Sequence, residues 1–411
     1  MKTYLVGGAV RDKLLNYPFT EKDWVVIGES PESMIAQKFI PVGKDFPVFL
    51  HPKTREEYAL ARTERKIAPG YTGFNFHTAP DVTLEQDLIR RDLTINAIAL
   101  SSSGQLIDPY GGQKDLKNRI LRHVSPAFNE DPVRLLRIAR FAARYAHLGF
   151  QIADETQQLM QQMVQQGEVS HLVAERVWTE THKALTEDQP SYFFKTLKSC
   201  GALAIIFPEI NDLFGVPQPA KYHPEIDTGI HALLTVDQAA HLTQDPATRF
   251  AALVHDLGKA KTPAHKWPGH RGHESYGLPI LEQLCQRLRV PKSYKTLAQH
   301  VMAHHTTSHK AIHLQPEALA EMLFNIGAFK KNNTLIYFLL ACEADAKGRT
   351  GLEKKPYPQA RFIQNAQQAA LAINTESLTS GSLKGPQIGA AIQQSRTQAI
   401  TDYYQTHARL E

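Results

Sequence analysis

Glu21 and Asp23 stand two residues apart in TEKDWVVIG, where an apolar β-type run begins, so at the start of a strand both carboxylates point to one face. Paired oxygens of this kind suit hard divalent cations such as magnesium. In nucleotidyl transfer one such ion lowers the pKa of an attacking 3′-hydroxyl and a second neutralises the leaving pyrophosphate. Alone, the pair reads better as a solvated strand end. A second constellation lies far downstream: His231, then His255 and Asp256 in the HDLGK run, then His273, His305 and Asp345. Neutral imidazoles with one or two carboxylates suit a transition metal better than magnesium, and such a centre activates water against a phosphoester.

Two further segments carry anion chemistry. The strand YLVGG runs into AVRDKLLNY, and two glycines at a strand-to-helix turn let backbone approach a phosphate, with Arg11 one turn inside. Glycine also serves such turns for geometry alone. After Asp131, PVRLLRIARFAARYAHLGF has helical periodicity, and Arg134, Arg137, Arg140 and Arg144 fall on a single face. Asp131 followed by Pro132 also reads as an N-cap and first-turn proline.

The elements that must hold these residues divide into blocks. At 411 residues the chain exceeds one core, and its composition is that of an ordinary globular protein. About the first hundred residues mix short β-type runs with glycine and proline, which predicts a small α/β or α+β unit. From Asp131 onward the pattern is helical, with helices predicted at 154–166 and 174–187 and another running to Cys200. The proline-rich GVPQPAKYHPEIDTG at 215–229 is the clearest boundary, and 12 of the 19 histidines follow between His223 and His313, so histidine chemistry belongs to one block. KGPQIGAAI, at 384–392, reads either as a contact to a nucleic-acid backbone or as an ordinary helix cap.

Charge and cysteine narrow the setting. Net charge is +5, and residues 114–144 hold eight lysines and arginines against three acids, so the basic character is local, as at a phosphate site. Cys200, Cys285 and Cys342 form no CxxC pair, which argues for a reducing compartment and against disulfides. The N-terminus is not patterned as a signal peptide and the longest apolar run, LIYFLLAC, is far short of a membrane span. The expected location is cytoplasmic.

LVGGAVRDKLL, the acidic pair, RRDLTINAIA at 90–99 and EDPVRLLRIARFAARY at 130–145 are similar in order and spacing to the class II tRNA nucleotidyltransferases and bacterial poly(A) polymerases. The resemblance covers about the first 215 residues. It implies that Gly8 and Arg11 contact the nucleotide, that Glu21 and Asp23 are the catalytic magnesium ligands, and that Arg91 and Asp92 recognise nucleotide and ribose. It makes Asp131 and Arg134 a protein template: an acceptor beside a donor selects cytosine and adenine over guanine and uracil. Arg137 and Arg140 would face the triphosphate or the primer end, and Glu175 with Arg176 would brace the template. Glu21 departs from the pattern, which has aspartate there, and its extra methylene displaces the carboxylate. Glu57, on a later strand, is a candidate third carboxylate.

Residues 228–345 resemble the HD phosphohydrolase superfamily. That resemblance implies His231, His255, Asp256 and Asp345 as metal ligands, His273 and His305 on a second ion or the phosphate, and Lys259 neutralising phosphate charge. Head and HD unit together resemble the multifunctional CCA-adding enzymes, whereas bacterial poly(A) polymerases usually carry a basic tail in place of the HD unit. The implied fold class is α+β: a polymerase-beta-like nucleotidyltransferase head (1–140), a helical neck and body (141–222), a helical HD domain (223–345) and a helical tail (346–411). The implied activity is addition of CCA to tRNA from CTP and ATP with magnesium. Added to it are 2′,3′-cyclic phosphodiesterase, 2′-nucleotidase and phosphatase activity with a transition metal, nickel foremost, in a monomer or homodimer with no membrane partner. The alternatives are a phosphohydrolase with a head impaired by Glu21, a poly(A) polymerase, and a non-catalytic tRNA-binding protein; the last has no use for Asp23, Asp131 and Asp256.

Overall fold

The structure is a computed structural model that describes residues 1–19, 21–42, 48–66, 74–375 and 385–407. It divides into two compact units, Met1–Thr181 with Tyr192–Ile206, and His182–Ser191 with Phe207–Glu411. The proline-rich segment lies inside the second unit, where Pro217 bridges Asp227.

The first unit opens with strands β1 (Lys2–Val6), β2 (Asp23–Ile27), β3 (Ile40–Val42), β4 (Val48–Leu50), β5 (Glu57–Leu60), β6 (Thr63–Lys66), β7 (Phe74–His77), β8 (Ala99–Ser101) and β9 (Leu106–Ile107). Seven form one sheet in the order β3-β4-β5-β2-β1-β8-β9, and β6 and β7 pair separately. Within the sheet only β2 and β5 run parallel. Successive β2 residues point to opposite faces, so Val25 packs with Val6, Leu88 and Ala99, while Val26 packs with Met34, Phe39, Phe49 and Leu60. The sheet is thus covered on both sides. Asp23 opens β2, opposite Val6 on β1 and Glu57 on β5. Glu21 lies two residues ahead of the strand, not within it.

The predicted helices form, at Val133–Tyr145, Asp154–Gln165, Ala174–Leu185 and Ser191–Ser199, the third running past the end of the first unit at Thr181. The 140/141 position falls within the first of them. Its apolar residues Leu135, Leu136, Ile138, Ala139 and Phe141 are buried, and so are Arg134 and Arg140.

The described part of the second unit from Thr228 onward is helical, and five of its helices bring the site together: Thr228–Leu242, Pro246–Val254, His273–Arg287, Lys292–His309 and Thr334–Lys347. Thr228–Leu242 is capped by Asp227, which accepts from Ile230 N, and Pro246–Val254 by Asp245, which accepts from Thr248 N. Both pack against Thr334–Lys347. His255 is the residue that ends Pro246–Val254, so the HD dipeptide sits at a helix C-terminus, not within a helix. Gly258 then allows a close approach: a Cβ there would lie 1.9 Å from the His273 carbonyl and 2.6 Å from Gly277 N. Glycine at 258 lets the HDLGK turn touch the His273–Arg287 helix. Lys384 lies outside the described residues, and Pro386–His407 is a helix. No described helix is long and apolar enough to cross a membrane.

Candidate active sites

In the first unit Gly7 (φ 69°, ψ −133°) turns β1 into the Gly8–Leu14 helix. A Cβ on Gly7 would stand 3.1 Å from the Arg91 guanidinium and 3.8 Å from Asp23 Oδ2, and a Cβ on Gly8 3.4 Å from Arg11 Nη2. The turn therefore brings Asp23, Arg91 and Arg11 together. Burial raises the Asp23 pKa, Arg91 works against it, and the Glu21 charge raises it further. A carboxylate pushed up by burial and by a like-charged neighbour is one that a cation would relieve, and Glu21, Asp23 and Glu57 offer acceptor oxygens only. Their donor chemistry fits magnesium, although no head carboxylate belongs to a closely converged cluster among the described residues.

Behind the turn lies a layer of arginines, each held by a partner. Arg11 is buried: Nε and Nη2 donate to Asp12 at 2.7 and 3.0 Å, Nη1 donates to Asn96 at 2.6 Å, and Phe141 lies under the guanidinium. Its guanidinium supports the turn from inside. Arg91 donates to Asp87, which also accepts from Arg90. Asp92 accepts from Leu93 N, Asn96 and Arg137, the last at 2.6 Å. Burial alone would raise the Asp92 pKa, but the Arg137 charge and these bonds hold it well below the usual range.

The arginine face of Val133–Tyr145 is consequently not a solvated basic track. Arg134 donates to the Ala127 carbonyl, Arg137 to Asp92, Arg140 to Glu180 at 2.7 Å, and Arg144 to Asp12, which also accepts from Tyr145. Arg122 likewise pairs with Asp115 and Glu155. Much of the local basic surplus is matched inside the unit. Arg137, 37% exposed at its side chain, is the member of the row most open to a ligand. Asp131 Oδ1 accepts from Val133 N at 3.0 Å, so it does cap the helix; it and Arg134 flank that helix end. The buried brace of the arginine helix is Glu180, five residues beyond the exposed Glu175; Arg176 lies on the same helix as both.

In the second unit all six expected ligands converge. His231, His255 and Asp256 form one group whose ligand atoms lie within 4.8 Å of one another; His255, His305 and Asp345 form a second, and Asp256, His273 and His305 a third. All six are buried. The rings are aimed by their far nitrogens: Nδ1 of His255, His273 and His305 contacts the carbonyls of Ala252, His270 and Val301 at 2.7, 3.1 and 3.0 Å. A donating Nδ1–H leaves each Nε2 as a lone pair facing inward, as a metal ligand requires. His255 Nε2 and Asp256 Oδ1 are buried with no hydrogen-bond partner, while Asp256 Oδ2 faces the Lys259 ammonium at 2.6 Å. His255 Nε2 lies 3.1 Å from Asp256 Oδ2, with His273 Nε2 3.1 Å from the other Asp256 oxygen. Acceptors gathered in such number, with the Lys259 ammonium among them, fit a cation. Burial opposes ionisation of Asp256 and Asp345, but the groups beside them, His255 and Lys259 for one and His309 and His255 for the other, hold both well below the carboxylate range.

Two neighbours, His309 and Glu225, went unassigned in the sequence, and Lys259, expected on the phosphate, is instead held by a ligand. His309 donates to Asp345 Oδ2 at 2.6 Å and meets the Tyr357 hydroxyl with its other nitrogen. Glu225 lies 3.0 Å from His231 Nδ1 and 3.1 Å from His223, a fourth close group. Glu225 was visible in the PEIDTGIH run, but spacing gave it no role. Lys259 is tied at 2.6 Å to Asp256 and at 2.5 Å to Gln218.

A nucleotidyltransferase head joined to an HD metal-dependent phosphohydrolase domain is the class that this fold and these two sites define. The Poly A polymerase head domain matches residues 3–122, the probable RNA and SrmB-binding site of polymerase A residues 149–214, and the HD domain residues 228–347. The chain is 60% identical to the Multifunctional CCA protein of Methylococcus capsulatus (97% of this chain, 94% of that one) and 58% identical to that of Nitrosococcus oceani (97% and 98%). It shares the fold of the Bacillus stearothermophilus CCA-adding enzyme solved in complex with CTP, at TM-score 0.64 and 24% identity over 97% of this chain and 88% of that one. The chain belongs to the multifunctional CCA protein family.

Proposed function

We propose that the head adds C, C and A to the 3′ end of tRNA from CTP and ATP, releasing pyrophosphate. In the same reading the HD unit clears damaged RNA ends as a 2′,3′-cyclic phosphodiesterase, 2′-nucleotidase and phosphatase, and both act in the cytoplasm. The observation that supports this best is that likeness to multifunctional CCA proteins spans both units, so both sites belong to one RNA-end activity.

In the head, the Gly7–Gly8 turn and Arg91 hold the triphosphate, and Glu21 and Asp23, with Glu57 opposite, hold magnesium. When bound, magnesium supplies activation of the 3′-hydroxyl and charge stabilisation of the departing pyrophosphate. Asp131 accepts from the exocyclic amine of C or A, and Arg134 donates to the ring nitrogen. Asp92 fixes Arg137 toward the nucleotide, and Arg11 and Arg140 keep turn and helix in register from beneath. In the HD unit, His231, His255, Asp256 and Asp345 hold a transition metal, nickel in this reading, which supplies an activated water. His273 and His305 bind a second ion or the phosphate. Lys259 fixes Asp256.

The test incubates tRNA lacking CCA with labelled CTP and ATP in magnesium, and separately 2′,3′-cyclic AMP with nickel. Incorporation of two C and one A is expected, and no incorporation would remove the head's role. The position of Glu21 ahead of β2 favours one second reading, a chain that acts mainly as the phosphohydrolase. Hydrolysis without incorporation would establish it.

A further inference from the structure

Residues 257–273 join Asp256 to His273 and carry Lys259, Lys261, Lys266 and Arg271 with no carboxylate. Trp267 is 38% exposed within this segment. Its indole is nevertheless fixed: Nε1 donates to both the carbonyl and the hydroxyl of Thr262, each at 3.1 Å. Thr262 is buried, and its hydroxyl meets His270 Nδ1 at 2.6 Å, while His270 Nε2 donates to the Pro217 carbonyl at 2.8 Å.

The clamp is joined to the metal cluster at two points. Thr262 N donates to the Lys259 carbonyl, and Lys259 Nζ lies 2.6 Å from Asp256. His273 Nδ1 rests on the His270 carbonyl. An indole held by its edge, through a buried polar network, with much of its ring outside, is built differently from a tryptophan packed for core stability. Tyr276, 37% exposed and one turn past His273, lies under Lys266 Nζ at 5.3 Å. Lys259 and Lys261 are paired with Asp256 and Asp212, which leaves Lys266 and Arg271 as the cations beside these rings. Exposed aromatic rings next to cations are the elements of a single-stranded nucleic-acid surface: bases stack on the rings and the cations meet phosphates. An apolar protein partner would face Lys261, His265, Lys266 and Arg271 instead of a continuous apolar patch.

The geometry points to Trp267 as a base-stacking platform for the terminal nucleotide of an RNA whose 2′- or 2′,3′-cyclic phosphate is presented to the HD cluster. This inference rests on the phosphohydrolase reading above. Lys266 and Arg271 meet the phosphates of the preceding nucleotides.

The test compares kcat/KM for adenosine 2′-monophosphate with that for p-nitrophenyl phosphate, which has no base, in the full-length metal-loaded enzyme. The nucleotide-to-nitrophenyl ratio is expected to fall about 5- to 140-fold in Trp267→Ala and to be largely kept in Trp267→Phe. Equal losses on both substrates would make Trp267 a loop support and overturn the platform, as would an unchanged ratio. Binding is read independently by quenching of tryptophan fluorescence with adenosine 2′-monophosphate. Trp267→Phe, which keeps Trp24 and Trp178, should abolish the quench. Quenching in a wild-type chain that hydrolyses neither compound would discard the hydrolase and keep the platform. Quenching that survives Trp267→Phe would discard the platform alone.

Discussion

Glu180→Ala strands a buried guanidinium, and its cost can be worked from the structure. Arg140 Nε lies 2.7 Å from Glu180 Oε2, with the two side chains only 9% and 7% exposed. At an effective dielectric of about 20, charges that close attract by roughly 6 kcal/mol. Desolvation of both ions offsets most of that, so the intact pair adds little beyond a well-packed apolar pair. Losing one partner leaves the Arg140 penalty uncompensated and is expected to cost about 3–5 kcal/mol. Arg140→Met with Glu180→Leu, which removes both charges, should return to within about 2 kcal/mol of the wild type, so the two sites are strongly coupled. Urea unfolding followed by fluorescence in a Trp267→Phe background reports the first unit alone, since Trp24 and Trp178 both lie there. At a slope of about 2 kcal/mol/M, Glu180→Ala should lower the midpoint by roughly 1.5–2.5 M. A shift below about 0.5 M, or a double variant equal to the sum of the singles, would refute the brace.

Asp23→Asn should abolish CTP and ATP incorporation while leaving 2′,3′-cyclic AMP hydrolysis intact, and Asp256→Asn should do the reverse; loss of both activities in either variant would contradict two separate sites. His309→Asn should weaken metal binding roughly 10- to 100-fold, because His309 orients Asp345, and titration against a competing chelator reads this directly. Asp92 has a depressed folded pKa, so its stabilising effect is complete above the ordinary aspartate value of about 3.9 and is lost as pH falls below it. The stability deficit of Asp92→Asn, followed by urea unfolding, should therefore stay constant from about pH 8 to 5 and close below about 4; a deficit that closes at neutral pH would refute the assignment.

What the sequence disclosed depended on whether partners lie near one another in the chain. The HD cluster was legible because histidine and aspartate at metal spacing carry their meaning in their types, and all six named residues meet. The arginine helix was legible as a helix but not in its use. Its partners Asp12, Asp92 and Glu180 lie 132, 45 and 40 residues away from Arg144, Arg137 and Arg140, so counting charges along 114–144 could not reveal that they are matched. Glu175 drew attention by opening a helix, whereas Glu180 faces inward five residues later. His309 was hidden among histidines of equal standing. The Glu57 candidate gained substance only from strand register, which placed it opposite Asp23.

The division of the chain carries a consequence for taking the protein apart. His182–Ser191 belongs to the second unit although Tyr192–Ile206, which follows it, belongs to the first. The polypeptide thus passes from one unit to the other three times. A fragment ending at Thr181 lacks the Ser191–Ser199 helix, and one ending at Ile206 carries off the ten residues whose Leu185 and Glu187 carbonyls bind the buried Arg249. No single cut separates two whole parts, so a truncation meant to isolate one unit damages the other.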